Sequence, residues 1–167
     1  KWMKDFALDQ RVDGNAPNVV PDLNNDYGSS AWADAGIIIL WIVYKTYGDK
    51  NILQTQYPSM RAWVEFVRKD AEKNDYICRF GHHYGDWLAF STNRSDYPGA
   101  TTDKDFIATA YFAHSVDLLG KIAGILGKQE EAQTYNQLFD KVKSAFQKEY
   151  MSANGRLSSG TQTAYVL

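Results

Sequence analysis

The sequence predicts an all-α fold, a partial toroid in which inner and outer helices alternate. Three observations predict it. Two segments that are apolar on most faces are each followed by a segment with one apolar stripe. The members of each pair are joined by a short glycine turn. The links before, between and after the pairs are long, at residues 11 to 30, 74 to 102 and 151 to 160. Short turns on one face and long loops on the other are what a ring of helical hairpins requires.

Each element follows from its residues. The chain opens on Lys1-Trp2-Met3-Lys4-Asp5-Phe6-Ala7-Leu8, an amphipathic helix with no leader-like charged and apolar regions ahead of it. Residues 31 to 47 carry the unbroken run Ile37-Ile38-Ile39-Leu40-Trp41-Ile42-Val43-Tyr44. A helix apolar all round is expected to be enclosed by other helices, which makes this an inner one. Gly48 suits the left-handed position that ends it. From about Lys50 to Lys73, Leu53, Tyr57, Met60, Val64 and Val67 recur every three or four residues, with Lys50, Gln54, Arg61, Glu65 and Arg68 opposite. That is an outer helix. The pair then recurs. Residues 103 to 126 are apolar on most faces, Gly127 ends them, and 129 to 150 bear one stripe of Ala132, Tyr135, Leu138, Val142, Ala145 and Phe146. Superposing Gly48 on Gly127 also superposes Gln54-Thr55 on Gln133-Thr134, a period of about 79 residues. That exceeds the roughly 20 to 47 residues of familiar solenoid repeats. The expected organisation is one segment, 1-167, of a larger helical domain, cut at both ends.

Composition narrows the partners. Eighteen basic and 20 acidic residues are spread along the chain for a net charge of −2, leaving no basic stripe for nucleic acid or an anionic membrane. The longest apolar stretch, Ala35 to Tyr44, falls short of the roughly 18 to 20 residues of a membrane span. Cys78 is the sole cysteine, so no internal disulfide forms and no cysteine metal motif exists; no metal or cofactor is expected. The compartment stays open. Five Trp, 11 Tyr and 8 Phe exceed the needs of one modest core, so some rings are expected to face a ligand.

The long loops are the place to look for function. Gln10-Arg11-Val12-Asp13-Gly14 through Val20-Pro21-Asp22 leads to Ser30-Ala31-Trp32-Ala33-Asp34; Phe80-Gly81-His82-His83-Tyr84-Gly85-Asp86-Trp87-Leu88 forms a second cluster; Thr101-Thr102-Asp103-Lys104-Asp105 forms a third. Several members have architectural readings. Thr102 with Asp105 resembles a capping box, Asp34 suits the positive end of its helix, and His82-His83 lack a third metal ligand at a recognisable spacing. His114, Trp41 and Trp63 fall on helix stripes and are expected in the core. Trp32 and Trp87 differ, because each lies on a long loop near a carboxylate, Asp34 and Asp86 respectively. An indole face takes the apolar side of a pyranose while a carboxylate accepts its hydroxyls. Gly85 would let the backbone approach a ligand closely. Without a family pattern, Asp34 and Asp86 would be proposed as an acid/base pair.

Taken together, the motifs resemble the catalytic α/α-barrel region of the bacterial α-L-rhamnosidases, inverting glycoside hydrolases. The resemblance covers essentially the whole chain. It is carried by Lys1-Trp2, Gln10-Arg11-Val12-Asp13-Gly14, Val20-Pro21-Asp22, Trp32-Ala33-Asp34-Ala35, Tyr47-Gly48-Asp49, Gln56-Tyr57-Pro58-Ser59-Met60, Gly85-Asp86-Trp87-Leu88, Ala108-Thr109-Ala110-Tyr111-Phe112 and Thr161-Gln162-Thr163-Ala164-Tyr165, in that order. It implies a partial (α/α)6 toroid and removal of terminal α-linked L-rhamnose by single displacement, between carboxyl groups about 6.5 to 9.5 Å apart. It also implies that the acid, in an Asp-Glu-Arg motif followed by Gly-Trp, precedes the matched region and that the base glutamate follows it. No catalytic residue is then expected in this chain, which would supply a sugar-binding wall of Trp32, Asp34, Asp86 and Trp87. The expected partners are rhamnose-containing glycosides or polysaccharides and the remainder of the parent chain. Two other readings are a non-catalytic carbohydrate-binding helical module and a helical scaffold in which both tryptophans serve stability alone.

Overall fold

The computed structural model describes residues 1–23, 27–89 and 101–167. Residues 24–26 of the predicted first long link and 90–100 of the second lie outside the described residues. Six helices are described: α1 (Trp2–Asp9), α2 (Ala35–Tyr47), α3 (Lys50–Ala71), α4 (Lys104–Ile125), α5 (Gln129–Tyr150) and α6 (Gln162–Val166). A short 3-10 turn, Glu72–Asn74, extends α3. Among the described residues the only extended pairing is an isolated antiparallel bridge between Met151 and Leu157. No described helix is long and apolar enough to cross a membrane.

The two glycine turns form as their positions require. Gly48 has φ 69° and donates its N–H to the Tyr44 carbonyl, ending α2. Gly127 has φ 78° and sits between α4 and α5. A side chain would crowd the backbone in that left-handed conformation, so glycine serves there without strain. Starts are fixed by carboxylates. Asp49 accepts from the Asn51 and Ile52 N–H groups at 3.0 and 3.2 Å, opening α3. Asp103 accepts from Phe106 N–H at 2.7 Å, opening α4. The predicted Thr102–Asp105 capping box is thereby replaced. Asp103, one residue nearer the helix, reaches the free N–H first, and the Thr102 hydroxyl turns instead to Asp86.

The hairpins α2–α3 and α4–α5 pack against each other through α2 with α4 and α3 with α4. Helix α4 lies deepest, burying Phe106, Ile107, Phe112, Val116, Leu118, Leu119 and Ile122. A fully enclosed aliphatic side chain of this kind contributes about 2 kcal/mol. Helices α3 and α5 bury one stripe each, as the periodicity predicts, with Leu53, Met60, Trp63, Val64 and Val67 on α3 and Leu138 and Val142 on α5. From those buried stripes Tyr57 donates to Glu131 at 3.1 Å and Tyr135 to Glu65 at 3.0 Å, tying α3 to α5. A second, smaller core joins Ile77, Phe106, Ile107, Tyr150 and Ala164, fastening the link after α3 to α6.

The core placements of Trp41 and His114 are corrected, and α2 is covered on one side. Helix α2 buries Gly36, Ile37 and Leu40, whereas Ile42 is 55% exposed, because α1, α3 and α4 cover only one side of it. Trp41 is accordingly half-buried, packed at the edge of the core. His114 is exposed, on the one strip of α4 that faces no neighbour; Trp63 is buried as expected.

Candidate functional site

The turn from Ser29 to Asp34 presents the first candidate ring. Asp34 is 2% exposed, and its carboxylate joins three elements. Its Oδ2 accepts from Ala31 N–H at 2.7 Å, and its Oδ1 accepts from Trp63 Nε1 on α3 at 2.8 Å and from Ser115 Oγ on α4 at 2.6 Å. Burial pushes the carboxyl above its ordinary value, against the pull of the Ser115, Trp63 and Ala31 bonds. Ala31 has φ 72°, a left-handed conformation unusual for a residue with a side chain. Such a residue costs roughly 1–3 kcal/mol and persists where its surroundings over-determine it. The Asp34 bond to Ala31 N–H is that determinant. Trp32, the next residue, is held 45% exposed above this buried anchor.

The second loop supplies the other ring. Gly85 (φ 71°) and Leu88 (φ 66°) bracket Asp86 and Trp87, and the Ala89 N–H closes the turn onto the Asp86 carbonyl at 3.0 Å. Trp87 is also 45% exposed. The Asp86 carboxylate accepts from the Thr101 N–H and hydroxyl at 2.9 and 3.0 Å, the Thr102 N–H and hydroxyl at 3.1 and 2.8 Å, and the Thr163 hydroxyl at 3.1 Å. Partial burial raises its pKa, but the bonds from Thr102 and Thr101 outweigh burial and hold the carboxyl below its ordinary value. A carboxylate accepting that many hydrogens stays ionised and stationary.

The long links are sewn together at this rim. Ser30 N–H donates to His83 Nδ1 at 3.3 Å, and Tyr84 N–H donates to Ser29 Oγ at 3.3 Å, joining the first two loops. His83 is buried; that burial first, with the neighbouring positive charges of His82 and Lys104, lowers its pKa to about 4. Thr102 and Thr161 hydroxyls meet at 2.6 Å, and Asp103 N–H donates to Ser159 Oγ at 3.2 Å, adding the third link. Between the two indoles lies Tyr84, with its ring 5.2 Å from that of Trp32 and 6.0 Å from that of Trp87.

The four predicted site residues therefore fall on one rim in two layers. Trp32 and Trp87 present exposed ring surface, while Asp34 and Asp86 are occupied by protein donors. The sequence argument supplied a sugar hydroxyl as partner for each carboxylate. One serine, three threonines and an indole distant in sequence also donate to them, and their approach cannot be read from local pattern. Sequence reasoning passed over Ser29 and gave Tyr84, Ser30 and Thr163 no role of their own within the motifs that contain them. The one available signal was the aromatic residue directly ahead of Gly85-Asp86-Trp87. Among the described residues no group of three or more His, Cys, Asp or Glu is arranged to hold a metal ion. Cys78 is buried, its Sγ 4.0 Å from Ser30 Oγ, and burial pushes its thiol well up.

Paired inner and outer helices whose long loops converge on an aromatic rim define a helical-hairpin domain of the α/α-toroid class. Residues 1–167 match the family described as the bacterial alpha-L-rhamnosidase 6 hairpin glycosidase domain, and the chain belongs to it. The chain is 40% identical over its full length to the alpha-L-rhamnosidase of Streptomyces avermitilis, and 37% identical over 99% of its length to that of Formosa agariphila. It spans only 15% and 18% of those curated relatives. The crystal structure of the S. avermitilis alpha-L-rhamnosidase complexed with L-rhamnose superposes over 99% of this chain and 15% of that one, with a TM-score of 0.85 and 39% identity. Native alpha-L-rhamnosidase from Aspergillus terreus superposes over 98% of this chain and 19% of that one, with a TM-score of 0.88 and 31% identity. The fold is a portion of an (α/α)6 toroid, with α2 and α4 as inner and α3 and α5 as outer helices.

Proposed function

We propose that this domain is part of an enzyme that removes terminal α-linked L-rhamnose with inversion, and that its long-loop rim is one wall of the sugar site. The observation that carries the reading is the pair of half-exposed indoles, Trp32 and Trp87, held on cross-linked loops of a domain from this family. Each ring offers a flat apolar face to the C–H side of a pyranose. Asp34 and Asp86 serve the wall from behind by fixing the turns that carry the rings. In an inverting displacement a carboxylic acid protonates the departing glycosidic oxygen while a carboxylate base removes a proton from the attacking water. The remainder of the parent chain supplies both groups. This chain's residues orient the sugar and exclude water from one of its faces.

The test is hydrolysis of an aryl α-L-rhamnoside by the full-length enzyme and by its Trp32→Ala and Trp87→Ala variants, with proton NMR of the first sugar released. The expected outcome is the inverted anomer, with KM raised about tenfold or more in each variant and the fold retained. That loss corresponds to one well-buried aromatic contact. Rhamnose binding without turnover would favour a non-catalytic carbohydrate-binding module, and kinetics indifferent to both indoles would sink the wall.

A further inference from the structure

We propose that Tyr84 is a positioning residue, the wedge that sets the separation and tilt of the two sugar-facing indoles. The inference rests on the reading above that Trp32 and Trp87 contact the sugar. Tyr84 is half-buried, and three rings surround it: Trp32 at 5.2 Å with an interplanar angle of 55°, Trp87 at 6.0 Å and 85°, and His82 at 5.4 Å and 90°. Edge-to-face and tilted contacts of this kind have preferred geometries, so a ring held between two others fixes the orientation of both.

Tyr84 is itself held from two directions. Its N–H donates to Ser29 Oγ at 3.3 Å, and the preceding His83 takes the Ser30 N–H on Nδ1 at 3.3 Å. These bonds tie its backbone to the Trp32 turn. On its other side Gly85 (φ 71°) turns the chain into Asp86, whose carboxylate is clamped by Thr101, Thr102 and Thr163. Both ends of the wedge are thus anchored, one to each loop. Without the ring, the Trp32–Tyr84 and Tyr84–Trp87 contacts both vanish, and each indole loses a contact that restricts its rotamers before the sugar binds.

The test uses the full-length enzyme with an aryl α-L-rhamnoside. Tyr84→Ala should raise KM about tenfold, matching the loss of two ring contacts, with a smaller change in kcat. Tyr84→Phe keeps the ring and should stay within about twofold of wild type. In the Trp32→Ala/Trp87→Ala background, adding Tyr84→Ala should change KM by less than about twofold, because a wedge acts only through the rings it holds. A further tenfold loss there would mean that Tyr84 touches the sugar itself and would overturn the positioning role. A lower Tm with KM unchanged would overturn it too, by assigning the ring to stability alone. If the Ala variant does not fold, Tyr84→Leu keeps bulk without a planar ring, and a wild-type KM in that variant counts against the proposal. Failure of the underlying reading is separate, since it appears as wild-type KM in the two tryptophan variants themselves.

Discussion

Asp34 is a carboxylate that the sequence offers to a sugar and that the fold surrounds with its own donors. The sequence places a carboxylate at the mouth of an inner helix beside an indole, and the structure gives it donors from its own turn, from α3 and from α4. Asp34→Ala would leave Ala31 N–H, Trp63 Nε1 and Ser115 Oγ unpaired in a buried setting. Each buried orphan costs about 1–3 kcal/mol, so a loss of roughly 3 kcal/mol or more is expected from denaturant unfolding. Asp34→Asn keeps an acceptor oxygen for Trp63 and Ser115 but sets an amide against Ala31 N–H, and should fall between. If instead both variants unfold at the wild-type midpoint and lose only substrate affinity, Asp34 is a ligand group rather than an anchor. The residue type and its neighbourhood were legible in the sequence. Its partners were not, since Trp63 and Ser115 reach it only after α3 and α4 have packed.

Between elements, the seam joining the Ser29–Asp34 turn to the 80–89 loop depends on a neutral histidine. His83 accepts the Ser30 N–H on Nδ1, and its pKa falls from 6.5 to about 4 on folding. Over that interval the unfolded chain binds a proton that the folded chain does not, so stability rises with pH. The contribution is complete above pH 6.5 and is lost as pH falls towards about 4, for a total of roughly 3 kcal/mol. Asp86 acts in a lower window. Its folded pKa lies below the ordinary 3.8, so its contribution holds above that value and is lost as pH falls through the folded one. His83→Asn retains an acceptor near the Nδ1 position and cannot titrate. Stability measured from pH 7 to pH 4 should therefore slope less steeply in that variant, and an unaltered slope would assign the dependence to other groups. Adjacent histidines in a loop read as bland in sequence, because burial of one and exposure of the other is set by the neighbouring loop.

On the scale of the whole molecule, α2 leaves one side of an apolar inner helix open to solvent. Ile39 and Ile42 are exposed on a helix that is apolar from Ala35 to Tyr44, and the family is a six-hairpin domain of which two hairpins, α2–α3 and α4–α5, are described here. Contiguous apolar surface of this kind promotes association in water. Residues 1–167 expressed alone should self-associate in sedimentation velocity, and Ile39→Lys/Ile42→Lys should shift the distribution towards monomer. A monodisperse wild-type segment would show that α2 tolerates solvent without further helices. In a complete six-hairpin domain the same surface is expected to be covered by the remaining hairpins, where the double substitution would instead lower Tm.

The sequence by itself determined the helices, their inner and outer character, the glycine turns at Gly48 and Gly127 and the rim on which the tryptophans lie. These depend on periodicity and on local backbone preference, both of which operate within a few residues along the chain. Its ordered motifs also determined the family. Only the tertiary structure decided which donors meet the carboxylates, which histidine is enclosed and which ring stands between the two indoles. Each of those outcomes requires groups tens of residues apart to meet in a low-dielectric interior, where an unpaired polar atom is costly and the packing of whole helices selects its partner.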